Sequence, residues 1–299
     1  MPSLAEDLQT QKCVMEDFRS IAERVLNYMP EMITEEIDFG NYLICASTTA
    51  GNRKTIRPYK KNLFINNPNQ FNDLYNQFIH ILEKIQRDDK NFENIHYSIL
   101  DKVIYTIQQS IGIGLDFLVE QNSSKKHVGN RFEELIRTLL TEMNIPNKKV
   151  VLRIPYETEE GKKYYRCETD VIISPYESVR SDMGNIDPKE IVISLKTSTK
   201  DRMPKIFIDK ILLERFLDHP VRMIGISQND IQRKEDKGKI KVSYTFVSNL
   251  FMVYTKFLTE LEGYYYIDIP KRALETPFNK HIYPFSKFIL KDVWELLNT

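Results

Sequence analysis

Glycine is scarce in this chain, at ten of 299 residues, and no Gly-x-x-x-x-Gly-Lys run occurs. That leaves little room for a P-loop nucleotide site. Cysteine is scarcer. Cys13, Cys45 and Cys167 are far apart and odd in number. They suggest neither a disulfide framework nor a zinc site, and they suit a reducing, cytoplasmic setting. The five histidines are scattered, with no His-x-x-x-His pair. No apolar run approaches the ~18 residues of a membrane span. The N-terminus is charged within its first seven residues and has no apolar segment behind them. Neither a signal peptide nor a membrane helix is therefore expected. No sign of charge is in excess, because Lys plus Arg number 42 and Asp plus Glu number 42. The absence of a global basic field argues against a histone-like binder but leaves room for a local basic cleft. Internal repeats and low-complexity segments are missing too.

What is present is ample core material: 41% of the residues are hydrophobic, enough for one large domain or two small ones. Apolar residues at helical spacing predict helices over residues 4–28, 69–87 and 92–111, with Pro30 ending the first. A short strand is expected at 41–47, and Gly112-Ile113-Gly114 reads as a turn. The polar run Gln121 to Lys126 reads as a linker or exposed loop. It separates a helical N-terminal region, residues 1–120, from the remaining 121–299. Between the first two helices, Gly51 to Asn62 carries five cations and no acid. Two readings stand for it: a solvated loop, or a segment that grips phosphates through Arg53, Lys54 and Lys60.

A helix over His127 to Met143 precedes a hairpin of strands at Val150–Glu157 and Lys163–Ile173. The stretch Ser174 to Lys189 reads as a loop, Glu190 to Ser198 as a strand, and Pro204 to Leu217 as a helix opened by its proline. Val221 to Ser227 is a further strand and the charged run Asp230 to Lys241 a loop. Strands at 242–247 and 263–267 flank a helix at 248–261, and a last helix closes the chain. Tyr264, Tyr265 and Tyr266 suit either base stacking or, more commonly for aromatics in a strand, a core.

Within this frame the two strands around residues 164–173 and 190–198 carry charges in apolar surroundings. Alternation puts Glu168 and Asp170 on one strand face, and Ser194 and Lys196 on one face of the other. An acid and a lysine at facing strand ends can answer each other, or a metal can answer the acid. Carboxylates that hold a hard cation beside a lysine suit phosphodiester cleavage.

An Asp, a spacer, and then an acid-x-Lys is the pattern of the PD-(D/E)XK nucleases, and Asp170 followed by Ser194-Leu195-Lys196 resembles it. Thr169 stands where that family has proline, and Ser194 where it has the acid. Some type II restriction endonucleases carry Ser-x-Lys and recruit an acid from the following helix. The run Lys196-Thr197-Ser198-Thr199-Lys200-Asp201-Arg202 is similar to a segment of several such enzymes. The resemblance implies an α/β, restriction-endonuclease-like core, a mixed central sheet flanked by helices. It also implies Mg2+, duplex DNA cut at a short specific sequence, and a homodimer. By the same resemblance Asp170 binds the metal and Lys196 orients water. Glu133, Asp209 and Glu168 are candidates for the further carboxylate. Thr197, Ser198, Lys200 and Arg202 are the expected DNA contacts beside the catalytic strand. Glu133 also reads as a solvated helix acid. Asp209, 13 residues after Lys196, falls on an apolar helix side and needs a partner. Alternatives are a repair or recombination nuclease of the same fold, a catalytically silent DNA-binding module, and an interaction protein whose charges form structural ion pairs.

Overall fold

The computed structural model describes residues 2–49, 52–199, 202–236 and 239–299. In chain order α1 (Leu4–Gln9) and α2 (Met15–Met32) lead into a small antiparallel sheet of β1 (Glu35–Phe39), β2 (Tyr42–Thr49), β3 (Asn52–Thr55) and β4 (Tyr59–Lys60). The helices α3 (Pro68–Gln86), α4 (Asn94–Leu118) and α5 (Gln121–Glu142) follow, then β5 (Asn147–Lys148) and the hairpin β6 (Val151–Thr158) and β7 (Gly161–Glu168). Next come β8 (Val171–Ile173), β9 (Ile191–Lys196), α6 (Met203–Leu217) and β10 (Arg222–Ser227). A second hairpin, β11 (Ile231–Asp236) and β12 (Lys239–Tyr244), precedes α7 (Ser248–Phe257), β13 (Gly263–Tyr266) and β14 (Ile282–Pro284). The chain closes with α8 (Phe285–Lys287) and α9 (Val293–Leu297).

The central sheet has six strands in the order β14-β13-β10-β9-β8-β5. The pairs β9–β10, β10–β13 and β13–β14 are parallel, while β8–β9 and β5–β8 are antiparallel, so the sheet is mixed. Its inner strands are unbroken apolar runs because both faces are covered. Alternation sorts their side chains into two cores. Val171, Ile173, Ile191, Ile193 and Leu195 face one core, and Ile172, Val192, Met223, Tyr264 and Tyr266 face the other. The first core runs on through α5 to α2, α3 and α4, so the helices before residue 120 pack into the same interior as the sheet. The second is closed by Phe207 of α6 and Phe251 of α7, whose rings meet edge to face at 5.8 Å. The three tyrosines of β13 are buried, which removes them as a base-stacking platform.

Several local expectations give way. Residues 1–120 hold four helices and also the four-stranded β1–β4 sheet. The chain breaks between α1 and α2, and Pro30 sits inside the last turn of α2 rather than ending it. Residues 121–126 are the first turns of α5, capped by the Glu120 side chain on Asn122 N, with Ser124 buried against Asp116. The run after Asp230 forms the β11–β12 hairpin. Gly112-Ile113-Gly114 lies within α4, not at a turn. These glycines are there for close approach. A Cβ at Gly112 would stand 2.5 Å from the Arg57 guanidinium, and one at Gly114 would stand 2.8 Å from Leu8. Alanine in place of glycine inside a helix ordinarily gains about 1 kcal/mol. At Gly114 the overpacking outweighs that gain. Gly114→Ala is therefore expected to lower the urea midpoint, by about 1–2 kcal/mol of stability.

Asp101 of α4 joins the C-terminal segment to this core by accepting bonds from Ser286 N at 3.0 Å and Ser286 Oγ at 2.7 Å. Burial pushes its pKa from 3.8 up to about 7, against the pull of the two Ser286 bonds. A carboxyl raised on folding stabilises fully below its unfolded pKa, and that contribution is lost as pH rises through the folded value. The Asp101 contribution to stability should thus fall between about pH 4 and pH 7 and then level off. Asp101→Asn should lose that slope, as measured by urea unfolding on either side of the window.

Candidate active site

The hairpin β6–β7 and the central sheet are separate sheets, and the chain passes from one to the other at Thr169 and Asp170. The expected continuous strand from 163 to 173 is therefore broken here. Thr169 pins the break. Its N–H and its hydroxyl each reach Val150 O at 2.9 Å, and its Oγ1 accepts from Val150 N at 3.2 Å. A proline at this position would lack the N–H. The bend also separates Glu168 from Asp170, so the two do not continue one strand face. Glu168 is exposed, while Asp170 turns inward.

Register then brings the acid to the lysine. In the antiparallel pair β8–β9, Val171 faces Ile193. One step beyond that pair, Asp170 meets Ser194. Asp170 Oδ2 accepts from Leu195 N at 2.7 Å, Lys196 Nζ at 2.9 Å and Ser194 Oγ at 3.3 Å. Lys196 Nζ also donates to Ser194 Oγ and to Leu195 O, each at 2.9 Å. The bonds to Asp170 all use its Oδ2, and the residue lines a cleft. Ser194 is the neutral bridge of the pair: it donates to the acid and accepts from the base.

A cleft of about 290 Å³ opens here, lined by Glu168, Asp170, Ser194, Lys196, Lys205 and Asp209 among others. Asp209 does reach it, and the partner its apolar setting calls for is Lys205, one turn earlier, with both carboxylate oxygens at 2.6 Å. Glu133 approaches from α5. It accepts from Lys149 Nζ at 3.0 Å, and Lys149 lies 3.8 Å from Glu168. Burial raises the pKa of Glu133, and the negative charge of Asp170 adds to the rise. Burial opposes the charge on Lys149, but the hydrogen bond and charge of Glu133 outweigh it and raise its pKa. The Lys149 ammonium thus supplies positive charge among Glu133, Glu168 and Asp170. Among the described residues no cluster of three or more His, Cys, Asp or Glu side chains is disposed to hold a metal ion. The available set is nonetheless oxygen-rich, suited to a hard cation rather than a soft one: Asp170 first, Glu133 second, with Glu168 at the rim. Lys149 had no signal in the sequence, because its partners Glu133 and Glu168 come from other elements, whereas the i,i+4 spacing of Lys205 and Asp209 was there to be read.

The basic run after β2 is a different case, because its acids come from elsewhere in the chain. Its Gly51 lies outside the described residues. Arg53 pairs with Glu35 at 2.7 Å, Lys54 reaches Phe117 O at 3.1 Å, and Lys61 pairs with Asp38 at 2.7 Å. Arg57 forks onto Asp116 with two bonds of 2.9 Å. Lys60 contacts Asp268, which is 0% exposed, at 2.6 Å, and Tyr42 donates to the same acid. Lys60 is thus an internal counter-ion, not a phosphate grip. The Arg53 pair is exposed and weak enough to be exchanged. Thr197, Ser198 and Arg202 line a second, larger cleft beyond the end of β9. Lys200 and Asp201 lie outside the described residues.

No family model matches the chain, and no curated protein matches it. Among solved structures it is similar to the type IIP restriction endonuclease Kpn2I, with a TM-score of 0.71 and 18% identity over 100% of this chain and 98% of that one. The fold is that of a restriction endonuclease. A restriction endonuclease PspGI–substrate DNA complex also matches, with a TM-score of 0.44 and 15% identity over 76% of this chain and 93% of that one. The similarity to Kpn2I spans the N-terminal helices as well as the sheet.

Removing the Lys60 ammonium leaves a carboxylate in the core without its cation, which costs about 3–5 kcal/mol. Lys60→Met should lower the thermal midpoint accordingly and leave the salt dependence of DNA binding unchanged.

Proposed function

We propose that the chain is a type II restriction endonuclease that hydrolyses phosphodiester bonds of double-stranded DNA at a short specific sequence, with Mg2+ as cofactor and as a homodimer. The observation that carries this reading is the Asp170–Lys196 pair, 2.9 Å apart where β8 and β9 end side by side, in a sheet with the restriction-endonuclease fold. Asp170 and Glu133 are the carboxylates that would hold the cation. A bound Mg2+ would screen the phosphate and acidify a water molecule. Lys196, held by Asp170 and Ser194, orients the attacking water or neutralises charge developing on the phosphate. Ser194 keeps that lysine aimed without adding a second negative charge beside Asp170. Asp209 is the weaker candidate for the second carboxylate, because Lys205 already engages both of its oxygens. Glu168, exposed at the rim, is the outermost of the acids.

A catalytically silent DNA-binding module is the reading that competes, since Ser194 supplies no carboxylate. The two part on cleavage. Mixed-sequence duplex DNA digested with Mg2+, with its fragment ends sequenced, should yield one recurring short sequence. Asp170→Ala and Lys196→Ala should each lower cleavage at least about a hundredfold while leaving a folded protein that still binds DNA. Near-normal cutting by either variant would refute the assignment, and random fragment ends would favour a repair or recombination nuclease.

A further inference from the structure

The cleft beyond β9 and β10 has walls built for a ligand. Its volume is about 560 Å³. It lies past the carboxyl ends of two parallel strands, where Lys196 and Ser227 are in register and Gln228 N donates to Lys196 O at 2.9 Å. Ligands of open α/β sheets gather at such strand ends. Four cations line it, Arg57, Lys125, Arg202 and Arg233, against one acid, Asp116. That acid is already committed: it takes three bonds from Arg57, at its N, Nε and Nη2, and one from Ser124.

Two donors in these walls have no acceptor, and one acceptor, Gln109 Oε1, has no donor. Gln228 is 1% exposed, and its Nε2 makes no hydrogen bond. Arg233, on β11, leaves Nη1 buried and unbonded. Buried donors are seldom left this way, because the lost hydration is not recovered. Arg233 is a half-buried cation beside a second cation. Burial lowers its pKa, and the charge of Arg57 lowers it further, against the pull of Asp116. Arg202 sits at the mouth at the start of α6, exposed; its N–H donates to Thr199 O at 2.9 Å, and its side chain has no hydrogen-bond partner among the described residues. Gln232 Nε2 holds Ser198 Oγ at 2.9 Å, which fixes the wall between Arg202 and Arg233. Positive charge and unmet donors together call for a compact anion rich in acceptor oxygens.

We propose that this cleft is a phosphate seat, with Arg233 and Gln228 as its inner donors and Arg202 at its mouth, that holds a backbone phosphate of the DNA bound for cleavage. The source of the phosphate rests on the nuclease reading above; the seat itself rests on the two unmet donors. The seat adjoins Lys196 through Thr197 and Ser198, so a strand held there passes the Asp170 cleft. Gln228 and Arg233 then belong to substrate positioning rather than to the chemical step.

Two measurements test this. Inorganic phosphate should raise the thermal midpoint of the wild type and leave that of Arg233→Gln unmoved. A fluorescein-labelled duplex, titrated without Mg2+ at several salt concentrations, should bind Arg233→Gln about tenfold more weakly. Its slope of log affinity against log salt should be lower by about one. Arg233→Lys should restore the slope, and Gln228→Leu should weaken binding with the slope unchanged. A merely structural Arg233 would lower the midpoint of the free Arg233→Gln protein; removing a half-buried cation whose Nη1 has no acceptor should leave it equal or higher. Wild-type affinity and slope in Arg233→Gln, with no phosphate effect on the wild type, would overturn the seat. If the wild type binds no duplex but phosphate still stabilises it through Arg233, the seat stands and the nuclease reading falls.

Discussion

A lysine that is 13% exposed must have its charge answered, and the candidate site is organised by that need. Asp170 answers Lys196 from the neighbouring strand, and Ser194 and Leu195 N complete the arrangement without adding net charge. The pair can form only because β8 and β9 keep one register. A slip of one residue would turn Asp170 away from Ser194 and exchange the two cores that alternate along the sheet. Burying both faces of the sheet and aligning the site are therefore one constraint.

That constraint explains the crossing at Thr169. The hairpin β6–β7 has to leave the central sheet just before the acid, and a threonine bonded on both sides of Val150 holds the bend. It explains the glycines of α4 as well. The first core extends from the sheet through α5 into α2 and α4, and at Gly112 and Gly114 neighbouring side chains come close enough to exclude a Cβ. The N-terminal helices are thus part of the support behind the strands that carry Asp170 and Lys196. The electrostatics follow the same layout. Cations of the β3–β4 region are bound to acids and carbonyls of β1, α4 and the end of β13, while Gln228 Nε2 and Arg233 Nη1 are left without acceptors beyond β9 and β10.

The strands β9 and β10 and the helix opened by Pro204 were legible in the amino-acid sequence, which also set Asp170 and Lys196 at strand ends as an acid and a lysine able to answer each other. Each is a local pattern: β-branched runs buried on both faces, a fixed φ at a first helical turn, and charges at the ends of apolar segments. The mixed sheet flanked by helices was what the resemblance to the PD-(D/E)XK nucleases implied, and the sheet is mixed. Which charges already have partners emerges only in the folded chain. Lys60 and Asp268 are 208 positions apart, and Arg57 and Asp116 are 59 apart, so a basic run without nearby acids looked free when it was paired. Lys149 lies among three carboxylates for the same reason. The glycines of α4 read as a turn because glycine's conformational freedom is visible in a sequence, whereas the space its missing Cβ vacates belongs to a neighbour far along the chain. Charge pairing and close packing are settled by proximity in space, and only the folded chain fixes that proximity.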